Sequence, residues 1–379
     1  MIIKLILPLI AAIALITFMV LPPTIPLSPL SSGESKHTTS SKEYVILGFA
    51  PYWNLKKISS QAGAGITHFA YFALHLDKSG NIYTHANRRE QEPGYTNYQR
   101  MLAKTVTIPA KPLVLTFMPI DQDALRDILT STTSRTRATT AILSAVEESG
   151  ATGVNIDFEP LGDTTKQERD NFTLFIQELR RELNRKDLAL SISIYGSAAS
   201  RARIWDLVSL APLTDYFVVM TYDYTMPVTD NAGPNAPLRG AGSLFEHDVI
   251  KNIAEISGQV KAEQILLGIP FYGYEWDTVD SAKYAPTEGR GSVASLERID
   301  QMINDKSLEL VWDRNTLTPY GIASQSGQTS QIYFENETSI RLKLDFVKSA
   351  GLGGIAIWAL GYDNNVPWLW PTINTLNQP

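Results

Sequence analysis

The chain has 379 residues, 44% of them hydrophobic, so it can bury a large core and is not an intrinsically disordered protein. Its 33 Lys and Arg residues are outnumbered by 39 Asp and Glu residues, and the net charge of −6 without any basic block argues against nucleic acid as a partner. The absence of cysteine excludes a disulfide framework, a thiolate zinc site and a cysteine nucleophile.

The first 42 residues have the composition of a targeting segment followed by a linker. Residues 5–21 are almost entirely apolar, and Lys4 is the only charged residue before Glu34. Such a run fits either a signal peptide or a membrane anchor. We therefore expect export to the cell envelope or the extracellular space, with any membrane contact made through this segment alone. The predicted organisation is a signal peptide or anchor (1–21), a flexible tether rich in proline and serine (22–42) and a folded domain (43–379).

From residue 43 onward, short apolar runs alternate with helical patterns. Eight runs predict strands: Tyr44–Ala50, Ile66–Leu74, Pro112–Phe117, Gly153–Phe158, Leu188–Ile194, Tyr216–Met220, Gln264–Ile269 and Gly354–Trp358. Four segments between them predict helices: Arg135–Glu148, Lys166–Asn184, Leu244–Val260 and Ile340–Ala350. This alternation predicts an α/β fold, a (β/α)8 TIM barrel.

The connection between the seventh and eighth predicted strands is too long for one loop and one helix, at roughly 85 residues. Residues 277–331 contain a helical pattern at Ser295–Asn304 and strand-like runs at Leu308–Trp312 and Gln331–Phe334. We therefore expect a small α+β insertion above the catalytic face of the barrel, between strand 7 and the last helix.

The fourth predicted strand carries the sharpest chemical signal, Gly153-Val-Asn-Ile-Asp-Phe-Glu-Pro160. Alternate residues of a strand point to opposite faces, so Asn155, Asp157 and Glu159 share the inward face, while the apolar residues between them pack against helices. Burying two neighbouring carboxyl groups is costly and raises at least one pKa, which suits a general acid. A metal-binding pair or a solvated rim pair also fits this short pattern when it is taken alone.

Two further strands bring polar and aromatic groups to the same rim. The sixth strand ends in Met220-Thr-Tyr-Asp-Tyr224, which brings the Tyr222 hydroxyl and the Asp223 carboxyl group to the rim. The eighth ends in Trp358, whose indole suits either stacking on a sugar ring or core packing.

These three segments, in this order, resemble glycoside hydrolase family 18. Members of that family carry a D-G-x-D-x-D-x-E motif on the catalytic strand, an M-x-Y-D motif on the sixth strand and a floor tryptophan on the eighth. The resemblance covers nearly all of residues 44–370, including Gly48-Phe-Ala-Pro-Tyr-Trp53 on the first strand and Gly268-Ile-Pro-Phe-Tyr-Gly273 on the seventh. Many members also have a small α+β insertion after the seventh strand.

The resemblance implies a role for each matching residue. Glu159 matches the general acid, Asp157 the carboxylate that holds the substrate's acetamido group, and Tyr222 the hydroxyl that binds the acetamido oxygen. Asp223 matches a sugar-contacting carboxylate, and Trp358 matches the floor of the −1 subsite. We include Met220, from the same M-x-Y-D motif, among the substrate-binding residues. The implied reaction is retaining hydrolysis in which the substrate's own acetamido group is the nucleophile.

The catalytic strand departs from the fuller motif at two positions, because Thr152 and Asn155 stand where the family has Asp. We expect the neutral Asn155 amide to donate a hydrogen bond to ionised Asp157. Asp157 should then be more acidic than in relatives with a second carboxyl group, and the shared proton should stay on Glu159.

The implied substrates carry an N-acetyl group beside the cleaved bond, as chitin, peptidoglycan glycan strands and N-glycan cores do. Five further aromatic residues are candidates for additional subsites or for ordinary rim packing: Tyr52, Trp53, Tyr195, Tyr274 and Trp276. The mechanism needs no cofactor, and the five scattered histidines offer no metal-ligand spacing.

Two other classes of protein compete with the enzyme. A carbohydrate-binding, lectin-like member of the same fold would hold sugar without cleaving it, but such members usually lack the final glutamate, which is present here as Glu159. A wall-anchored structural protein would explain the tether but not the inward carboxyl groups. We therefore favour a glycosidase, a chitinase or a β-N-acetylglucosaminidase of endo or exo action, and we expect it to be monomeric.

Overall fold

The computed structural model describes residues 43–242, 245–325 and 327–378. The predicted signal peptide or anchor and the predicted tether lie outside the described residues. Within the described ranges, no helix combines the length and the apolar character that crossing a membrane requires.

Eight parallel strands close into a barrel, which confirms the predicted TIM-barrel fold. Their order around the barrel is β1-β13-β7-β6-β5-β4-β3-β2, so each strand pairs with its neighbour in the chain except where the insertion intervenes. The strands of the described chain are β1 Val45–Pro51, β2 His68–Leu76, β3 Leu113–Pro119, β4 Gly153–Ile156, β5 Ala189–Tyr195, β6 Tyr216–Met220, β7 Ile265–Pro270, β8 Tyr272–Thr278, β9 Ser292–Ser295, β10 Glu309–Asp313, β11 Thr318–Gln325, β12 Gln328–Tyr333 and β13 Gly354–Trp358.

Helices cover the outside of the barrel and connect its strands. The described α-helices are α1 Ser60–Gly65, α2 Pro93–Leu102, α3 Gln122–Thr130, α4 Thr132–Ser149, α5 Lys166–Asn184, α6 Leu207–Leu210, α7 Val249–Ser257, α8 Leu296–Asn304, α9 Glu337–Ser349 and α10 Leu369–Asn374. Four short 3-10 turns lie at Leu55–Lys57, Gly196–Ala199, Ala211–Leu213 and Ala262–Gln264.

Most predicted segments agree with these bounds to within three residues, but the predicted helix Leu244–Val260 begins too early. Leu244 lies outside the described residues, and α7 begins only at Val249. The reason is the cap: the Asp248 side chain accepts a hydrogen bond from the Lys251 backbone N–H at 2.7 Å and fixes the first turn there. The apolar Phe245 before it packs edge-on against the Tyr284 ring instead of extending the helix.

Two apolar layers surround the barrel strands. Inside the barrel, a small cluster includes Phe49, Phe72 and Val218, with Trp358 packed against it. Between strands and helices lies a far larger cluster, in which Phe158 stacks on Phe175 of α5 with ring centroids 5.4 Å apart. The strand side chains facing the helices are therefore apolar, and those facing inward are free to be polar where each strand ends.

An antiparallel sheet is inserted between β7 and β13, as the long connection predicted. Its strand order is β10-β11-β12-β8-β9, and α8 follows β9. The sheet begins at Tyr272, earlier than the Asp277 boundary predicted from sequence, because β8 starts two residues after β7 ends. Its core is aromatic and contains Tyr274, Trp276 and Tyr333.

Candidate active site

The two carboxyl groups of the fourth-strand motif lie just beyond β4, at the carboxyl end of the barrel. Asn155 is fully buried in β4, Asp157 above it is 4% exposed, and Glu159 is half-buried at the rim. Phe158 between them points outward into the layer of helices. The alternation along this segment therefore directs all three polar side chains toward the barrel axis.

Glu159 lies at the boundary of two adjoining cavities. The smaller one, of about 160 Å³, contains Asp157 and Trp358, and the larger one, of about 490 Å³, extends toward the end of β5. Both are lined by Glu159, Met220, Tyr222 and Asp223. A group bound in the smaller cavity and a group bound in the larger one would thus both face the Glu159 carboxyl group.

Burial dominates the electrostatics of the carboxyl pair. It raises the pKa of Asp157 well above the ordinary range, and the neighbouring Glu159 charge raises it further, against a hydrogen bond from Ser193 that lowers it. Burial likewise raises the pKa of Glu159, opposed by its hydrogen bond with Tyr195 and by the Arg203 charge. Burial thus raises the pKa of both carboxyl groups, which titrate as a pair, and the expectation that Glu159 keeps the shared proton stays a prediction.

Asn155 does not donate a hydrogen bond to Asp157, contrary to the expectation from sequence. Its Nδ2 donates to Ser193 Oγ at 3.0 Å, and its Oδ1 accepts from Ser191 Oγ at 2.8 Å. Ser193 in turn lies next to Asp157 and lowers its pKa, while Asp157 Oδ1 is buried without a hydrogen-bond partner. Asn155 therefore reaches Asp157 through Ser193 and, being fully buried, lies beneath the cavity rather than at its surface.

Tyr222 and Met220 form the wall shared by the two cavities. A Cβ atom at Gly268 of β7 would lie 2.5 Å from Val219 O and 3.0 Å from Tyr222 Cε1, so only glycine leaves room for the Tyr222 ring. Burial raises the pKa of Tyr222 well above its ordinary value, with the Asp223 charge adding to the effect. Its hydroxyl therefore stays protonated at neutral pH and can act as a hydrogen-bond donor.

Asp223 is held by neighbours from both the barrel and the insertion. Its backbone is in the left-handed region at φ 60°, and its N–H donates to Asn235 Oδ1 at 2.8 Å. The hydroxyl groups of Tyr272 and Tyr274 donate to its Oδ1. Burial raises the pKa of Asp223, and these two hydroxyl groups oppose that rise. The carboxyl group is thereby fixed at the wall of both cavities.

Trp358 closes the smaller cavity at the end of β13. Its ring contacts Phe72 at a centroid distance of 4.5 Å and Phe49 at 6.1 Å. The Phe72–Ala73 and Trp358–Ala359 peptide bonds are both cis. The indole is partly exposed and faces the cavity that holds Asp157, so it has a free surface for a flat ligand.

The five aromatic candidates for further subsites fall into two groups. Tyr195 lines the larger cavity beside Glu159. Trp53 is 50% exposed at the rim, where it packs edge-on against Tyr52 and Phe72 and so continues from the smaller cavity outward. These residues are accessible to a bound ligand.

Trp276 and Tyr274 belong to the aromatic core of the insertion instead. Trp276 is 1% exposed and donates its Nε1–H to Pro227 O at 3.1 Å, so it offers no face to a ligand. Tyr274 is also buried, and its hydroxyl binds Asp223. The expectation that these two line subsites is therefore corrected: Trp276 packs, and Tyr274 positions Asp223.

Three residues of the site were missed by the sequence reasoning. Ser193 had a signal in the Leu190-Ser-Ile-Ser-Ile194 alternation, which directs Ser191 and Ser193 inward from β5. Asn235 and Arg203 lie in loops, where no periodicity marks which side chains turn toward the cavities. Within the described ranges, no cluster of three or more metal-ligating side chains occurs.

A parallel eight-stranded barrel with buried carboxyl groups where β4 ends has the architecture of a TIM-barrel enzyme, whose active site lies at this face. The sequence matches the family profile of glycosyl hydrolases family 18 over residues 45–363. The chain therefore belongs to glycosyl hydrolases family 18, as the resemblance predicted.

Two relatives and one solved structure align with most of the chain. It is 25% identical over 304 residues to the putative sporulation-specific glycosylase YdhD of Bacillus subtilis (strain 168), covering 79% of this chain and 67% of that protein. It is 23% identical over 327 residues to the cortical fragment-lytic enzyme of the same organism, covering 83% and 69%. The crystal structure of the class V chitinase from Nicotiana tobaccum shares the fold, with a TM-score of 0.76 and 21% identity over 89% of this chain and 99% of that one.

Proposed function

We propose that this protein hydrolyses β-linked glycans that contain N-acetylglucosamine, with retention of configuration and with the substrate's own acetamido group as nucleophile. The observation that carries the proposal is the pair of carboxyl groups, buried Asp157 and half-buried Glu159, in a cavity that Trp358 and Tyr222 also line. Burial costs this pair free energy, which a purely structural role would not require.

Glu159 is the proposed general acid. It borders both cavities, so it faces the oxygen that joins a sugar over Trp358 to its neighbour. Burial raises its pKa, which favours the protonated form that proton donation requires. After the bond breaks, the same group, now ionised, activates the water that completes hydrolysis.

Asp157 and Tyr222 are proposed to act on the acetamido group. As the acetamido oxygen attacks C1, positive charge develops on the group, and that charge favours the ionised form of Asp157. The proton that the pair shares is then on Glu159, which delivers it to the glycosidic oxygen, and Asp157 is the anion that faces the developing positive charge. The protonated Tyr222 hydroxyl orients the acetamido oxygen, and Asp223 and Met220 complete the wall.

The names of the relatives support this substrate class without narrowing it. One is a cortical fragment-lytic enzyme and another a glycosylase, while the chitinase shares the fold. Chitin oligomers and peptidoglycan glycan strands are therefore the two substrates to test. Export through the N-terminal segment and a monomeric state remain proposals that rest on sequence alone.

The test is hydrolysis of N-acetylated chito-oligosaccharides and of purified peptidoglycan by the wild type and by Glu159→Gln. We expect the wild type to cleave at least one of them and the variant to be slower by about 10²–10⁴-fold, because the acid is lost. Unchanged binding of the oligosaccharide to the variant serves as the control for folding. A variant with more than a tenth of the wild-type rate would contradict the assignment of the acid.

A further inference from the structure

The larger cavity carries one permanently charged cation, Arg203. Its other lining groups beyond the shared wall are neutral or weakly basic, among them Ser197, His247 and Asn252. A volume of about 490 Å³ lies in the range of small-molecule sites. The cavity is therefore a candidate sugar-binding site with a positive charge at its edge.

Arg203 is held rigidly in the loop that follows β5. Its guanidinium carbon lies 4.6 Å above the Tyr195 ring, and its Nη1 donates to Pro160 O at 2.7 Å. Its own carbonyl accepts a hydrogen bond from Arg169 Nε at 2.8 Å. The backbone of Arg203 is in the left-handed region at φ 44°, a conformation that costs a non-glycine residue free energy. The loop therefore holds the Arg203 side chain in place at some cost in backbone conformational energy.

The Arg203 charge has no ion-pair partner in the described part of the chain. No carboxylate lies within 4.0 Å of its nitrogen atoms there, and its Nε is buried without a hydrogen-bond partner. The nearby Arg201 differs, because it pairs with Asp163 at the surface. Nη1 is engaged and Nε is buried, so the Nη2 end of this partly exposed guanidinium is the part left to bind a ligand carboxylate through a charge-assisted hydrogen bond.

The cavity containing Arg203 lies on the leaving-group side of the cleaved bond. Asp157 and Trp358 line only the smaller cavity, which therefore receives the sugar that carries the reacting acetamido group. Glu159 protonates the oxygen at the far edge of that sugar, and the larger cavity begins there. The sugar released in the first step thus lies next to Arg203.

We propose that Arg203 determines specificity by binding a carboxylate on this leaving sugar, so that the preferred substrates are N-acetylated glycans in which that sugar is acidic. The inference rests on the proposed function and narrows its substrate class. A glycan strand of alternating N-acetylglucosamine and N-acetylmuramic acid with free lactyl carboxylates has this chemistry, whereas chitin has none. Arg203 acts here on binding, in addition to the effect of its charge on Glu159.

The test compares three substrates: an alternating glycan with free carboxylates, the same glycan with the carboxylates converted to methyl amides, and a chito-oligosaccharide of equal length. For the wild type, we expect kcat/KM on the acid to exceed that on the methyl amide by about 10–100-fold, the contribution of a charge-assisted hydrogen-bonded pair. Arg203→Gln should bring this ratio close to one, mainly through KM, and Arg203→Lys should retain part of it. Arg201→Gln, a matched loss of charge nearby, should keep the wild-type ratio.

Two results separate failure of this inference from failure of the proposed function. Equal wild-type rates on the acid and the methyl amide, or a ratio unchanged by Arg203→Gln, would overturn the inference and leave glycan hydrolysis standing. No hydrolysis of any of the three substrates would overturn the proposed function and the inference with it. Binding of the acid and the methyl amide to Glu159→Gln, by calorimetry, gives the same ratio without turnover.

Discussion

A buried charge introduced at Asn155 should shift the pH dependence of the reaction. Asn155→Asp keeps the shape of the side chain and adds a carboxyl group below Asp157. The two positions lie on one face of the fourth-strand segment, two residues apart, which corresponds to about 6.6 Å. At an effective dielectric constant of about 20, two charges at this distance repel by about 2.5 kcal/mol, so repulsion alone contributes at most about two pH units to the shift.

The hydrogen bonds around Asn155 also predict that Asn155→Asp raises the pKa of Asp157. Ser193 Oγ accepts a hydrogen bond from the Asn155 amide, and the Ser193 hydroxyl lowers the pKa of Asp157. An ionised carboxylate in place of the amide would compete with Asp157 for the single Ser193 hydroxyl hydrogen. Loss of that hydrogen bond raises the pKa of Asp157, and repulsion raises it further. Asp157, which must be ionised for catalysis, then ionises at higher pH, so the acidic limb of the pH profile of kcat/KM moves to higher pH.

The assay is kcat/KM on one N-acetylated chito-oligosaccharide from acid to neutral pH for the wild type, Asn155→Asp and the neutral control Asn155→Ala. We expect the acidic limb to move up by roughly 0.5–2 pH units in the first variant. The acidic limb should stay in place in Asn155→Ala, because alanine does not compete with Asp157 for the hydroxyl hydrogen of Ser193. An unmoved limb in Asn155→Asp, or an equal shift in Asn155→Ala, would refute the coupling through Ser193.

Three further predictions address the buried carboxyl group, the two tryptophans and the N-terminal segment. The pKa of Asp157 is higher in the folded than in the unfolded state, so its protonation stabilises the fold fully below the unfolded pKa of about 3.9, and this stabilisation is lost as the pH rises through the folded pKa. Asp157→Asn should therefore raise Tm at neutral pH but not in acid. An effect on Tm that does not depend on pH would contradict this. Trp53→Ala should raise KM with little change in Tm, whereas Trp276→Ala should lower the free energy of unfolding by about 3–5 kcal/mol. Equal effects of the two substitutions on Tm would contradict the difference in burial between Trp53 and Trp276. Deletion of residues 1–42 should leave a soluble, active protein, because the described residues from Glu43 onward belong to one compact unit. An insoluble product would refute this boundary.

The barrel could be predicted from sequence because its strands are short apolar runs and its helices have clear amphipathic periods. Helix α5 was predicted with its observed bounds from its apolar periodicity, and a capping box of Thr165 and Glu168 fixes its start in the structure. The insertion was predicted in outline, but β8, β9 and β11 were missed. β9 is only four residues long, and β8 and β11 contain polar residues and tyrosines whose partners lie far along the chain, as Tyr333 of β12 pairs with Tyr274 of β8.

The site was predictable where strand alternation fixes the direction of side chains. Asp157, Glu159 and Tyr222 follow strands, so their convergence follows from the barrel itself. Hydrogen bonding and burial in loops follow no such rule. Trp276 and Trp53 look equally suitable for a sugar in the sequence, yet only tertiary packing decides that one is covered and the other exposed.

The measurement that tests the central claim most directly is the rate of cleavage of two matched oligosaccharides, one fully N-acetylated and one fully deacetylated. In the proposed mechanism, the acetamido oxygen attacks C1 while Asp157 stabilises the charge that develops, so the deacetylated oligomer has no nucleophile however well it binds. We predict cleavage of the acetylated oligomer alone, with binding of both followed separately on Glu159→Gln. Equal rates of cleavage on the two oligomers would contradict the account and require a nucleophile from the enzyme.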